Sequence, residues 1–174
     1  MKMILDVDTG IDDALAIAYA IGKEEIDLIG ITTVFGNVNV YDASKNSLNI
    51  LKLLDSENIP VYMGAEHSVI SSGYEQKRGG KLFHGENGIG NITLESSTYE
   101  YKDRAIDFIL DSVEKYENDL TIVATGPLTN IAEAIKKSPK TMSKVNKIVI
   151  MGGALTVPGN VSSFAEANFS QDVE

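Results

Sequence analysis

A chain of 174 residues, 43% of them hydrophobic, is long enough for one domain whose core removes roughly 70% of the unfolded surface from water. The formal net charge is −10 and the densest basic pair is Lys136-Lys137, which argues against nucleic-acid backbone binding and against a highly phosphorylated substrate, unless a metal bridges it. No cysteine is present, so there is neither a disulfide framework nor a thiolate metal site.

Taken in chain order, Lys2–Asp6 has an apolar centre, Met3-Ile4-Leu5, and reads as a buried strand. Asp12–Gly22 reads as a helix whose Ala14, Leu15, Ile17, Ala18 and Ile21 face a core. Leu28–Val34 reads as a second strand, Asp42–Asp55 as a helix and Pro60–Met63 as a third strand. From Gly64 to Thr98 the alternation breaks into a Gly-, Ser- and His-containing stretch, longer than a plain connection needs and of the kind that often carries function. Asp103–Tyr116 reads as a helix, Leu120–Ala124 as a strand, Pro127–Lys137 as a helix with Pro127 at its first position, and Lys147–Met151 as a last strand. The alternation predicts a single α/β domain over 1–174, built on a doubly wound, mostly parallel sheet.

Polar or glycine-rich residues follow the carboxyl ends of these strands. They are Asp8 to Asp13, Phe35-Gly36-Asn37, Thr125-Gly126 and Gly152-Gly153. Ligands of open α/β sheets bind in the crevice outside those ends, so four separate segments are expected to converge on one edge.

The densest chemistry lies at the first of these turns. Asp6, Asp8, Asp12 and Asp13 fall within eight residues. Four anions this close repel one another, and partial burial raises the cost. A bound hard cation, calcium or magnesium, relieves it. Capping alone would explain Asp12 and Asp13, since a carboxylate at a helix N-terminus gains roughly 0.3–1 kcal/mol. It leaves Asp8, and the tight turn at Gly10, without a purpose. For Asp6 a hydrogen-bonded strand-end role and a functional role stay equally open.

The opening DVDTGIDDALAIAYA has the form DxDxGxDD, and further segments follow in order: ITTVFGN (Ile31–Asn37), HGENGIG (His84–Gly90), ATGPLTNIA (Ala124–Ala132), VIMGGA (Val149–Ala154) and GNVSSFAEANFSQD (Gly159–Asp172). Together they resemble the inosine-uridine-preferring nucleoside hydrolases over essentially the whole chain. The resemblance implies calcium-dependent hydrolysis of the N-glycosidic bond of ribonucleosides. It casts Asp8 as a calcium ligand and the general base on the attacking water, Asp13 as a second calcium ligand, and the carbonyl of Thr125 as a third. It places Asp12 and Asn168 on ribose hydroxyls, Asn160 and Glu166 on the far side of the sugar, Asn37 near water and ribose, and Met151 as a wall of the pocket. His84 falls in a loop near the site. His67 is expected at the surface. Without the resemblance, Asn160 and Asn168 would pass for turn residues, Met151 for a core gap-filler and Thr125 for a helix cap.

Members of that family are nearly twice this length, and their second half supplies a further Asp ligand and often a His that assists the departing base. Asp172 reads here as the N-cap of a helix of which only two residues follow. The 174-residue form is therefore expected to be weakly active or inactive. The N-terminus lacks the long apolar run of a signal peptide, and no stretch of ~18 apolar residues occurs, so a cytoplasmic protein that engages no membrane is expected. A homo-oligomer acting on ribonucleosides completes the expectation. Two other readings stay open. One is a haloacid-dehalogenase-like phosphatase using Asp6 and Asp8, although its pattern has Thr or Val where Gly10 stands and does not expect Asp12-Asp13. The other is an inactive remnant that self-associates through exposed apolar surface.

Overall fold

The computed structural model describes residues 1–174. Five strands, β1 (Lys2–Val7), β2 (Asp27–Thr33), β3 (Val61–Met63), β4 (Leu120–Ala124) and β5 (Lys147–Ile150), form one all-parallel sheet in the order β3-β2-β1-β4-β5. Helices α1 (Ile11–Ile21) and α2 (Val40–Leu53) connect β1 to β2 and β2 to β3. Helices α3 (Arg78–His84) and α4 (Ala105–Tyr116) lie between β3 and β4, and α5 (Thr129–Lys137) and the short α6 (Pro139–Met142) between β4 and β5.

The alternation along β1 divides the core between the two faces of the sheet. Met3, Leu5 and Val7 pack with Ile17 of α1 and Leu48 and Leu51 of α2. Ile4 points the other way, with Ile122 of β4, against Ile109 and Val113 of α4 and Ile131 and Ala134 of α5. The chain thus winds outward from β1 through β2 to β3, then returns to the far side of β1 as β4. The reversal falls between β1 and β4, which is where open α/β sheets hold ligands.

The expected strands and four long helices are present, with ends displaced by one or two residues. Two displacements have a physical cause. Pro127 does not open a helix: α5 begins at Thr129, because Gly126 first lies against Asp8 and Val34. Asp103 stays outside α4, whose cap is Arg104 in a left-handed conformation, φ 78°. Asp172 starts no helix within the chain. Its carboxylate instead accepts from the Thr129 hydroxyl and the Val69 amide. Inside the irregular stretch from Gly64 to Thr98 sits α3, which Gly79-Gly80 conceals from a propensity reading. No helix is long and apolar enough to cross a membrane.

Candidate active site

Three of the four opening carboxylates are almost wholly buried: Asp6 at 0%, Asp8 at 1% and Asp13 at 1% exposure. Asp12, one residue before Asp13 on α1, faces outward, its side chain about half exposed. Adjacent helical residues point about 100° apart, so the helix start sends one carboxylate into the protein and one into the cleft.

Each buried carboxylate is oriented by named donors. Asp13 Oδ2 accepts the Gly10 amide at 2.7 Å, and its Oδ1 accepts the Thr125 hydroxyl at 2.5 Å. Asp8 Oδ2 accepts the Asn37 amide at 2.7 Å, while Asp8 Oδ1 is buried with no partner. Asp6 Oδ1 accepts the Thr32 hydroxyl at 2.5 Å and the Asn130 amide at 2.7 Å. The Asp8 and Asp13 carboxyls lie against one another. Burial is the main force on all three, and it pushes their protons on. Asp6 rises to about 6 despite its two donors. Asp8 rises well above the carboxylate range, with the adjoining Asp13 charge next in effect. Asp13 rises too, by burial and then by the charge of Asp12.

This environment suits a hard cation. The available donors are all oxygens, namely the Asp8 and Asp13 carboxylates and the Thr125 carbonyl, and one of them, Asp8 Oδ1, is desolvated and unsatisfied. No third Asp, Glu, His or Cys side chain joins the pair in a metal-holding cluster. The Thr125 carbonyl accepts from Asn168 Nδ2 at 2.7 Å, which leaves one of its lone pairs for an ion.

Beside the carboxylates opens a cleft of about 440 Å³ lined by Asp12, Asn37, His84, Met151, Gly152, Gly153, Asn160, Glu166, Ala167 and Asn168. Seven positions singled out from the sequence therefore meet at one surface, drawn from five separate segments. Glu166 organises its loop: Oε1 accepts the Asn168 amide at 3.0 Å, and Oε2 accepts the amides of Phe169 at 3.2 Å and Gly153 at 3.3 Å. Asn168 Nδ2 bridges two strand ends, donating to the carbonyls of Thr125 and of Met151, and its Oδ1 has no protein donor. Asn160 Oδ1 accepts the Ala167 amide at 2.9 Å. Met151 is 44% exposed, a cleft wall and not a core residue.

His84, at the end of α3, accepts the Ile11 amide on Nδ1 at 3.2 Å and lies 3.6 Å from Asp12 Oδ1. An Nδ1 that accepts leaves the proton of the neutral ring on Nε2. The turn beneath it is tight: a Cβ at Gly10 would stand 2.5 Å from Asn37 Nδ2 and 2.6 Å from His84 Nδ1, so both side chains would have to shift. His67, expected at the surface, is half-buried with Nδ1 against the Ser68 carbonyl, and it takes no part in the cleft. Asp6 is sealed beneath the site by Thr32 and Asn130, so it cannot serve as the covalent nucleophile that a phosphatase reading needs.

Three contributors escaped the sequence reading. Gln76 Nε2 donates to the Asn37 carbonyl and Tyr74 Oη to that of Gly36, so the segment before α3 straps down the turn whose amide holds Asp8. Asn130 reaches Asp6 from α5. A polar side chain on the core-facing side of a helix was the one available signal for Asn130.

A sequence model of the family described as inosine-uridine preferring nucleoside hydrolase matches residues 3–174. The chain is 41% identical to uridine nucleosidase 1 of Arabidopsis thaliana over 99% of its own length and 51% of that protein's. It is 37% identical to the pyrimidine-specific ribonucleoside hydrolase RihB of Escherichia coli, over 99% of the chain and 54% of the relative. Among solved structures, a purine-preferring ribonucleoside hydrolase from Gardnerella vaginalis superposes with a TM-score of 0.98 at 47% identity, covering 100% of this chain and 55% of the other. The chain therefore spans about half the length of the relatives it matches.

Proposed function

The chain belongs to the inosine-uridine preferring nucleoside hydrolase family, and from that premise we propose that it serves in calcium-dependent hydrolysis of the N-glycosidic bond of ribonucleosides, yielding ribose and free base. The observation that carries the reading is the unpartnered, buried Asp8 Oδ1 just past the carboxyl end of β1, beside a cleft lined by Asp12, Asn37, Glu166 and Asn168.

Asp8, Asp13 and the Thr125 carbonyl would hold the calcium, which when bound supplies a hard Lewis acid that anchors hydroxyls and acidifies water. Asp8 takes the proton of the attacking water on Oδ1, the carboxylate oxygen that no protein donor occupies. The Asn37 amide fixes the other oxygen, so the carboxylate cannot rotate away. Water oxygen bonds to the anomeric carbon as the carbon–nitrogen bond breaks and its electron pair leaves with the base. The sugar then carries oxocarbenium-like positive charge, which the carboxylates of Asp8, Asp12 and Glu166 stabilise. Asp12 and Asn168 Oδ1 accept from ribose hydroxyls, with Asn160 and Glu166 across the sugar and Met151 at its face. His84, with its proton on Nε2, offers a donor at the cleft's edge.

Two carboxylates and a carbonyl are fewer oxygens than the six to eight that calcium takes. On that count the 174 residues by themselves hydrolyse nucleosides weakly or not at all. The proposal extends to a cytoplasmic homo-oligomer working in nucleoside salvage. Support for assembly comes from apolar side chains left in solvent in the segment between Gly153 and Glu166, among them Leu155, Val157 and Phe164.

The test is release of ribose from inosine and uridine by the full-length protein, with calcium and with a chelator. Turnover that needs calcium and fails in Asp8→Asn supports the reading. Nucleosides left intact by the calcium-loaded full-length protein would overturn it.

A further inference from the structure

We propose that Asn130 is a positioning residue for the calcium site, setting the Thr125 carbonyl against the Asp8 carboxylate through Asp6, which rests on the reading of that site given above. Asn130 is 0% exposed in the first turn of α5, and its amide is fully used. Nδ2 donates to Asp6 Oδ1 at 2.7 Å and to the Thr33 carbonyl at 2.9 Å, and Oδ1 accepts the Ala65 amide at 2.9 Å. One side chain thus ties the carboxyl ends of β1, β2 and β3 to the helix that follows Thr125.

Asp6 passes that placement on. Its carbonyl accepts the Thr125 amide at 2.9 Å, and the Thr125 hydroxyl in turn holds Asp13 Oδ1 at 2.5 Å. Asp8 stands two residues on, just past the end of the same strand. All three proposed calcium donors therefore hang from a circuit in which Asn130 is the one member on α5. The fit leaves little slack: a Cβ on Gly64 would come within 2.2 Å of Asn130 Oδ1. A donor misplaced by a few tenths of an ångström loses affinity even when the fold stands, and partners behind metal ligands typically contribute 10–100-fold.

The test is calcium affinity by calorimetry, with the metal alone, on the full-length protein expressed from its own gene. The measurement compares the parent, Asn130→Ala and Asn130→Ser well below their melting temperatures. Thr141→Val, which removes a buried hydroxyl bonded to Glu114 and Ser138 at α6, serves as a control for destabilisation away from the site. Calcium binding weakened tenfold or more in the Asn130 variants, and within about twofold of the parent in Thr141→Val, is the expected result. Equal affinity in a folded Asn130 variant overturns this proposal and leaves the calcium reading intact. No calcium binding by the parent overturns both. Failure of both Asn130 variants to fold, or an equal loss in Thr141→Val, shows a purely structural residue and overturns the positioning role.

Discussion

Asn37 and Asp8 meet through a backbone amide, 2.7 Å from Asp8 Oδ2, and this one bond decides which carboxylate oxygen is left free. Oδ1 is the oxygen without a partner, buried at the reversal of strand order. Substituting Asp8→Asn keeps the shape and removes the base. Turnover should fall by about 10²–10⁴-fold. The metal-free variant should melt no lower than the parent, because one of the crowding charges is gone. Nucleoside assays paired with thermal melts in chelator check both halves.

The buried carboxylates also dictate how the metal-free protein responds to acid. Asp6 is held near 6 in the fold, against about 4 in the unfolded chain, so between these values the folded state binds more protons than the unfolded state. This contribution is fully present below about 4 and is lost as the pH rises through about 6. It is about 3 kcal/mol, and Asp8 and Asp13 act in the same direction. Melts in chelator should therefore give a higher midpoint at pH 5 than at pH 7.5, and saturating calcium should flatten or reverse the trend. A midpoint in chelator that rises toward pH 7.5 would count against the crowding.

Gly36 offers a steric test. A Cβ there would stand 2.0 Å from Asp8 Oδ2 and 2.7 Å from Asp8 Cβ, so the Asp8 side chain would have to move. Gly36→Ala should cost about 1–3 kcal/mol of stability and displace the carboxylate, so calcium binding weakens with it. Denaturant titration beside calorimetry measures the two losses, and an alanine tolerated in both would mean the turn is more compliant than its contacts imply.

Sugar discrimination follows from the polar atoms that the cleft leaves unspent, Asn168 Oδ1 and the carboxylate of Asp12 among them. A substrate without the 2′- or 3′-hydroxyl strands such acceptors in a desolvated cleft. Deoxynucleosides should lose on the order of 10²-fold or more in kcat/KM. Steady-state comparison of uridine with deoxyuridine decides it, and equal rates would remove the diol from the recognition scheme.

How much of this could be seen beforehand depended on the range over which each residue acts. The alternation Met3, Leu5, Val7 against Ile4 is local, and it placed β1 and the flanking helices correctly. The carboxylate run and the glycine that accompanies it are local as well. Pro127 misled because its ordinary place is a first helical turn, whereas here Gly126 is held across the sheet end against Asp8. The role of Asn130 could not be read, since its partners Ala65, Thr33 and Asp6 lie 65, 97 and 124 residues away and only the folded sheet brings them together. The strap formed by Tyr74 and Gln76 was hidden for the same reason, in a segment with no periodicity to betray it.

The two hydrogen bonds of Asn168 Nδ2 have a bearing on how sugar selectivity could be redesigned. Its amide joins Thr125 and Met151, the residues just past the ends of two neighbouring strands, while the residue itself lines the cleft. A replacement at Asn168 therefore disturbs the frame and the ligand contact in one stroke, and its kinetics will not divide cleanly between affinity and rate. Asn160 is the more separable handle, because its tie runs within its own loop, to the amide of Ala167. Libraries aimed at altered pentoses have more freedom there, where a failed variant reports on the sugar and not on the scaffold.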